Sequence, residues 1–380
     1  MPGCTRFRPR SVTTAVVLLL MSSVSAPAAN AAGPRTVVDL GALPGGLSSA
    51  TALNDNGVVV GTSTTGTSTV QHAVRWNRSS RITDLGSVDG SDTYALGVNQ
   101  RGTTFGFADN CALTSGSCSL RWSPDGTLHR LPALAPGAAS HPQAINDHDV
   151  VVGSAGAPDG HGHPVRWTAG GQVVDLGLPP GAVDGTALGI NNRGLIVGLA
   201  DLADGWAHAL LWDHDRGVIE LPPAPGQVVS WALGVTEDGL IVGDVNTTGY
   251  HMARWQYRDG VIRPPEVLEA DSYLYYTSRS GIAVAPGLRW DRSGRVTELK
   301  PLHQGGGSYP NAVNDAGIVV GSSGRPDGTA TSVWWDRAGA PHEFPSPSPS
   351  PVIGVRAINE AGTVAGSAEF PAGRHAAVWR

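Results

Sequence analysis

A segment that recurs eight times constrains this chain more than any other feature. Its first copy, Thr51–Trp76, begins TALNDNGVVVGTS and ends HAVRW. Each copy has an Asn-x-x-Gly segment or an altered form of it, and a tryptophan at its end. The closing tryptophans are Trp76, Trp122, Trp167, Trp212, Trp255, Trp290, Trp335 and Trp379. A period of about 45 residues over eight copies is typical of repeat architectures.

A glycine lies four residues after the turn position in seven of the eight copies. These glycines are Gly61, Gly106, Gly153, Gly198, Gly243, Gly321 and Gly366, and Ala285 replaces them in the sixth copy. Altered turn segments occur at Asn146–Asp149, Thr236–Gly239 and Ser278–Gly281.

Each copy predicts four short strands. The first is rich in small residues, as in Ala50–Leu53, and the second is a continuous apolar run such as Val58–Val60. The Asn-x-x-Gly segment between them predicts a tight turn, because Asn can bond the turn backbone and Gly can take a positive φ. The third strand alternates, as in His72–Trp76, and the fourth resembles Ile82–Gly86.

We therefore predict an all-β fold, a β-propeller of eight four-stranded blades. The small first strands are expected at the narrow axis, and the polar third and fourth strands outside. The segment Val37–Gly41 resembles a fourth strand, whereas the chain ends at Trp379–Arg380, after a third. Pairing of Val37–Gly41 with Ala376–Trp379 would close the ring and protect an open edge. The alternative is an open solenoid in which each unit contacts only its neighbours.

The sixth copy, Asp271–Leu299, has lost the polar loop between its second and third strands. Two interpretations remain open at this stage. The copy is either a blade that has drifted in sequence or a local insertion that shapes a recognition surface.

The first 31 residues predict a secretory signal peptide. Arg6, Arg8 and Arg10 precede an apolar run, Val12–Met21, and the segment Ala29–Ala31 has a cleavage pattern. Residues 32–380 then form a single propeller domain. No later apolar stretch is long enough to span a bilayer. We expect a secreted, extracellular protein with no membrane span.

The charge of the chain argues against one class of partner. The sequence has 26 Lys and Arg against 32 Asp and Glu, a formal net charge of −6. An acidic, exported protein is poorly suited to electrostatic binding of nucleic acid. We expect no nucleic-acid partner, and the sequence does not indicate an oligomeric state.

Two cysteines remain after the predicted signal peptide. Cys111 and Cys118 flank a short loop in the second copy. In an oxidising compartment they should form a disulfide that staples this loop.

The repeat resembles the bacterial extracellular HAF repeat, named for a His-Ala-Phe third strand. His-Ala occurs at His72-Ala73, His208-Ala209 and His375-Ala376, and a Leu-Gly segment before a Gly-rich turn occurs in Asp39–Gly46. The resemblance covers essentially the whole chain after the signal peptide. It implies a propeller-like fold and an exported location, and it brings no catalytic residues.

The sequence shows no catalytic constellation. It contains no Gly-x-Ser-x-Gly elbow, His-Glu-x-x-His segment, phosphate-binding loop or EF-hand. Five histidines share one repeat position, which indicates a common packing or hydrogen-bonding role. The segments His161–His163 and Asp213–Asp215 lack the ligand spacing of a structural zinc site. We expect no metal and no cofactor.

Recognition is expected on the face that carries the long, variable loops. These loops join second to third strands and one copy to the next, and variable loops on a rigid scaffold commonly carry binding. Trp206 and Trp231 lie outside the repeat pattern, on or beside these loops. The binding surface that we expect for a glycan or peptide consists of Trp206, Trp231, Asp204, Asp92, Tyr94 and Asp327.

Three functions remain open on the sequence alone, because a fold does not determine a function. The first is a non-enzymatic propeller that binds an extracellular glycan, peptide or surface. The second is a propeller hydrolase or lyase with acidic residues near the central channel. The third is a structural cell-surface module.

Overall fold

Strands account for all the regular secondary structure that the computed structural model describes, which covers residues 35–112, 116–246, 249–268, 274–348 and 354–380. These strands form eight sheets, each with at least four strands. The predicted eight-bladed propeller is confirmed. Within the described ranges, no helix is long and apolar enough to cross a membrane.

The strands follow one another in the order in which they pair, and each sheet is a blade. Strand β1 is Val37–Gly41. Blade 1 comprises β2 (Ser48–Leu53), β3 (Val59–Thr65), β4 (Ser68–Trp76) and β5 (Ile82–Gly86). Blade 2 comprises β6 (Thr93–Val98), β7 (Thr104–Ala108), β8 (Cys118–Trp122) and β9 (Leu128–Leu131). Blade 3 comprises β10 (Ser140–Ile145), β11 (Val151–Gly156), β12 (Gly162–Trp167) and β13 (Val173–Asp175). Blade 4 comprises β14 (Ala182–Ile190), β15 (Ile196–Leu202), β16 (Ala207–Asp213) and β17 (Gly217–Glu220).

The second half of the chain repeats this arrangement with one addition. Blade 5 comprises β18 (Val229–Val235), β19 (Leu240–Asn246), β20 (Tyr250–Arg258), β21 (Val261–Ile262) and β22 (Glu266–Leu268). Blade 6 comprises β23 (Tyr276–Thr277), β24 (Ala283–Ala285), β25 (Leu288–Trp290) and β26 (Val296–Glu298). Blade 7 comprises β27 (Ser308–Val313), β28 (Val319–Gly324), β29 (Ala330–Trp335) and β30 (Pro341–Glu343). Blade 8 comprises β31 (Gly354–Ile358), β32 (Val364–Phe370) and β33 (Gly373–Trp379), with β1 as its fourth strand.

The first strands surround a common axis, as their small residues predict. Strand β2 contacts both β6 of the next blade and β31 of the last blade. The turns between first and second strands therefore lie on one face of the ring, here called the turn face. The loops between second and third strands, and the connections between blades, lie on the opposite face, here called the loop face.

The ring is closed by the N-terminal strand, as predicted. Strand β1 pairs antiparallel with β33, with Val37 opposite Trp379 and Val38 opposite Val378. Thr36 and Arg380 extend the pairing by exchanging two backbone hydrogen bonds. An open solenoid is therefore excluded.

The repeated tryptophans join neighbouring blades. All eight lie at most 3% exposed. In six of them the indole Nε1 donates a hydrogen bond to a backbone carbonyl between the fourth strand of the preceding blade and the connection after it, as from Trp122 to Leu85 at 3.0 Å. A buried indole N–H needs such a partner. These side chains therefore fill the space between neighbouring sheets and also fix the distance between them.

Two local predictions are resolved by the described residues. The sixth copy is a full four-stranded blade. Cys111 and Cys118 form the predicted disulfide, with Cα atoms 6.0 Å apart. The predicted signal peptide, residues 1–31, lies outside the described residues.

Candidate functional site

A β-bulge interrupts the first strand of seven blades, always at the same position. In blade 1, Ala50 pairs with Gly61 and Ala52 with Val60, so Thr51 is an extra residue. The extra residues, here called the bulge residues, are Thr51, Leu96, Gln143, Leu188, Leu233, Asn311 and Arg356. Bulges commonly turn a side chain towards a functional site.

The repeated glycine of the second strand is what allows the bulge. A Cβ atom added to Gly61 would lie 2.0 Å from the carbonyl oxygen of Ser49, and one added to Gly198 would lie 2.0 Å from that of Thr186. No side chain can fit at that distance, so only glycine permits the bulged strand to approach its neighbour. Blade 6 has Ala285 at this position, and its described pairing of β23 with β24 contains no bulge.

An axial cavity of about 350 Å³ opens beside blade 6, where the first strand has only two residues. First strands of blades 1, 2, 6, 7 and 8 line it. Its lining includes Ser49, Thr51, Tyr276, Asn311 and Arg356. Its volume lies in the usual range for small-ligand sites, about 300–1,000 Å³. The eroded sixth copy thus forms one wall of this concave site.

Arg279 forms the floor of the cavity at the turn face. It belongs to blade 6, but its Nη1 lies 3.4 Å from Oδ2 of Asp55 in blade 1, so the side chain reaches across the axis. Only 10% of the side chain is exposed. Burial lowers the pKa of Arg279, and Asp55, Asp147 and Glu360 oppose that effect.

Two partial rings of hydrogen bonds connect neighbouring turns around this floor, and within the described residues neither of them links blade 5 to blade 6. The turn asparagines predicted to bond their own turn do so, as Asn54 Oδ1 accepts from Val58 N at 2.9 Å. Their Nδ2 atoms also donate to the next blade at 2.8–3.2 Å, and the last of these bonds joins Asn359 to Asn54 O. The donors are Asn54, Asn99, Asn146, Asn191, Asn314 and Asn359.

The second ring uses the residue after each turn asparagine. In blade 2, for example, Gln100 N donates to Asp147 Oδ1 of blade 3 at 2.9 Å. The acceptors of such bonds between blades are Asp55, Gln100, Asp147, Asn192, Glu237, Asp315 and Glu360. These carboxylate and carboxamide oxygens therefore hold the turns in place.

Glu360 belongs to this ring and also lines the cavity. Burial, and then the negative charge of Asp315, raise the pKa of Glu360 to about 7. A carboxyl group with such a pKa exchanges protons near neutral pH.

Tyr94 and Asp92, two of the predicted binding residues, contact each other at the mouth of blade 2. The Tyr94 hydroxyl donates to Asp92 at 3.3 Å or Asp109 at 3.2 Å, and its ring stacks on Phe107. Burial, followed by Asp109 and Asp92, raises the pKa of Tyr94 to about 12. Asp92 also accepts a bond from Gln71 N, so this carboxylate supports the loop.

The other four predicted residues are distributed over three blades. Trp231 lies on β18 and stacks on Tyr250 with ring centroids 5.7 Å apart. Trp206 is 49% exposed on a hairpin loop of blade 4. Asp204 accepts from Trp206 N and pairs with His208, and Asp327 accepts from Thr329 N. Both carboxylates thus stabilise hairpin turns.

The six predicted residues share the loop face but do not form one cluster, and none of them lines the cavity. Tyr94 lies two residues before the bulge residue Leu96, which lines the cavity. Trp231 has the matching position in blade 5, two residues before Leu233. Four residues of the cavity were not predicted as site residues from the sequence: Arg356, Tyr276, Arg279 and Asn311. The available signal was their departure from the residues at matching positions of other copies.

Four of the five repeated histidines have the shared hydrogen-bonding role that was predicted, whereas the buried Nδ1 of the fifth, His251, has no hydrogen-bond partner among the described residues. In four blades the histidine of the third strand pairs with an acid of the fourth at 2.6–3.0 Å. The pairs are His72–Asp84, His163–Asp175, His208–Glu220 and His375–Asp39. Because the last pair joins β33 to β1, it also secures the closure of the ring.

No family model matches the chain, and no curated protein matches it. Solved structures do resemble it. A puromycin hydrolase S511A mutant complexed with PGG shares 13% identity at a TM-score of 0.53, covering 87% of this chain and 57% of that protein. A streptogramin B lyase shares 12% identity at a TM-score of 0.44, covering 91% of this chain and 97% of that one. At such identities the likeness concerns the fold alone. The resemblance to the HAF repeat stays a prediction.

Proposed function

We propose that this protein is an exported, non-enzymatic propeller that binds an extracellular glycan or peptide in its axial cavity. The observation that carries the proposal is the cavity itself. Its wall is built from side chains that differ between copies, whereas the rest of the fold repeats. Repeated residues serve the scaffold, and departures from the repeat mark the part of the ring free to acquire a specific role.

In this proposal, the ligand enters the cavity from the loop face. Arg279 and the two hydrogen-bonded rings occupy the axis at the turn face. At the other end, Tyr309 is 47% exposed and Leu47 is 52% exposed. A ligand would therefore enter past the loops and contact Ser49, Thr51 and Asn311 on the wall.

Export is supported by two independent features. The first 31 residues have the pattern of a signal peptide, and Cys111–Cys118 is a disulfide, a bond typical of oxidising compartments. Both features fit an extracellular ligand.

Filling the cavity tests the proposed function. Ser49 lines the cavity, and within the described residues its side chain makes no hydrogen bond, so Ser49→Trp should occupy the site with little effect on the fold. Glycan and peptide arrays are probed with the wild-type chain, with Ser49→Trp, and with Thr83→Trp on the exposed outer strand β5. We expect Ser49→Trp to lose at least 90% of the array signal and Thr83→Trp to keep it. Equal binding by all three proteins would exclude the cavity as the binding site.

A hydrolase or lyase is the second candidate, and Glu360 is the observation that favours it. Its carboxyl group lines the cavity and its pKa is raised to about 7, which suits a general acid or base. Glu360→Gln tests this function, since Gln100 already fills the matching position in blade 2. Turnover of a polysaccharide or peptide by the wild type that Glu360→Gln lacks would establish the enzyme and overturn the binding protein.

A further inference from the structure

Arg356 differs from the other bulge residues in its charge. The other six are Thr, Leu, Gln or Asn, all neutral, and each lies three residues before the turn residue of its copy. A bulge that serves only the scaffold does not require a cation at this position. The charge is therefore specific to blade 8, the blade that also contributes Glu360 to the cavity.

Among the described residues, the guanidinium of Arg356 makes no hydrogen bond and no ion pair. Arg356 is exposed, and it lines the cavity. The buried arginines, by contrast, bind backbone carbonyls of the scaffold. Arg121 donates to the carbonyls of Thr168 and Ala169, and Arg289 donates to those of Gly317 and Arg337. Arg356 thus retains a planar set of donors that matches a carboxylate.

The surroundings of Arg356 favour an anion with a single charge. Tyr276 is close enough for the charge of Arg356 to act on its phenol, against the effect of burial, which raises the pKa of Tyr276. Arg279 is already paired with Asp55 at the floor. Because acids of the ring lie below the cavity, a dianion would meet more repulsion there than a monoanion.

We propose that Arg356 binds a carboxylate of the ligand, so that the cavity selects small molecules or chain ends that carry one carboxylate. This inference rests on the proposed function and names its ligand chemistry. A uronic acid unit of a glycan and the free C-terminus of a peptide both supply that group. The guanidinium would hold it through two parallel N–H···O bonds, while Tyr276, Asn311 and Ser49 contact the rest of the ligand.

Two matched pairs of probes test the inference by titration calorimetry. One pair is a disaccharide with one glucuronate unit and its methyl ester. The other is N-acetylated trialanine with a free C-terminus and its amide. The proteins are the wild type, Arg356→Gln, Arg356→Lys and, as a control for charge, Arg81→Gln on the exposed turn before β5. Gln143 occupies the matching bulge of blade 3, so Arg356→Gln should fold normally.

In at least one pair, we expect the wild type and Arg81→Gln to bind the acid at least tenfold more tightly than its neutral counterpart. Arg356→Gln should lose this preference, and Arg356→Lys should keep part of it. The pair that shows the preference identifies the ligand as a glycan or a peptide end. A preference absent from both pairs, or one that survives in Arg356→Gln, overturns the inference.

The two failures are distinguishable. If Ser49→Trp abolishes array binding while Arg356→Gln leaves the acid preference unchanged, the cavity binds its ligand but Arg356 does not select it. If Ser49→Trp has no effect on the array signal, the proposed function itself fails.

Discussion

Asp244 shows how one residue can set the pH dependence of this fold. Among the described residues it is the only buried Asp or Glu, and both its carboxylate oxygens lie within 3.2 Å of Leu274 N. Burial raises the pKa of Asp244 to about 7, with a smaller opposing effect from that hydrogen bond. Matching positions of other copies, such as Thr62, Ser154 and Leu199, are neutral.

Replacing this carboxyl should make stability less sensitive to pH. The pKa of Asp244 is higher in the folded chain than in the unfolded one. The contribution of its protonated carboxyl group to folding stability is therefore fully present below about pH 4. It is lost as pH rises through about 7. Between pH 4 and 8, Asp244→Asn should therefore gain stability relative to the wild type, by at most about 4 kcal/mol.

Urea unfolding at several pH values measures this difference. Asp215→Asn, at an exposed position, serves as the control and should follow the wild type. A constant difference between Asp244→Asn and the wild type from pH 4 to pH 8 would show that the carboxyl does not titrate in this range.

At the scale of the element, the first strand and its glycine partner act as one unit. The bulge brings the carbonyl of the first strand so close to the second strand that a Cβ atom has no room. In blades 1, 2, 7 and 8 the bulge residue also lines the axial cavity, so the glycine repeat and the cavity wall have a common origin.

A glycine substitution in a blade away from the cavity tests this coupling. In Gly198→Ala the added Cβ would lie 2.0 Å from Thr186 O, so β14 must shift and blade 4 must lose packing. We expect a loss of about 3 kcal/mol in the free energy of unfolding.

Gly170→Ala is the matched control, since its nearest neighbour would lie 3.7 Å away in an exposed turn. Chemical denaturation should show little change for it. Equal stability of Gly198→Ala and Gly170→Ala would contradict the proposed role of the repeated glycine.

At the scale of the whole molecule, the ring depends on contacts between residues more than 300 positions apart. Strand β1 covers the edge of β33, His375 pairs with Asp39, and Asn359 bonds Asn54. Without β1, the third strand of blade 8 would become an unpaired edge, which favours aggregation.

Deletion of residues 32–41 should therefore lower the melting temperature by at least about 10 °C, since several kcal/mol of pairing and packing are lost. A synthetic peptide of residues 35–46 should restore part of the loss, whereas a scrambled peptide should not. Calorimetry with and without the peptides measures both effects. An unchanged melting temperature would mean that closure contributes little to stability.

The fold was predictable because its signals are local and repeated. Trp76 and its seven equivalents give the period, and the turn asparagines mark the turn between the first and second strands of a copy. Val37–Gly41 resembles a fourth strand that precedes the first complete copy. The contact of Asp92 with Tyr94 is also local, because the two residues are only two positions apart. Closure followed because a strand pattern before the first copy matched the one missing from the last.

The site was not predictable in the same way, because it depends on which blades face each other across the axis. Arg279 and Asp55 are 224 positions apart in the sequence and belong to blades 6 and 1, so their contact follows only from the closed ring. The bulge that aims Arg356 at the cavity depends on strand register, which a small, apolar strand does not specify. Trp206 and Trp231 were predicted as binding residues because they depart from the repeat pattern. Such a departure does not show where a residue lies relative to the axis.

The most direct test of this account is a crystal structure of the chain with the tightest ligand from the arrays. We predict ligand density in the axial cavity, in contact with Tyr276, Asn311 and Arg356. Density on the outer loops around Trp206, or on the turn face, with the cavity empty, would contradict it.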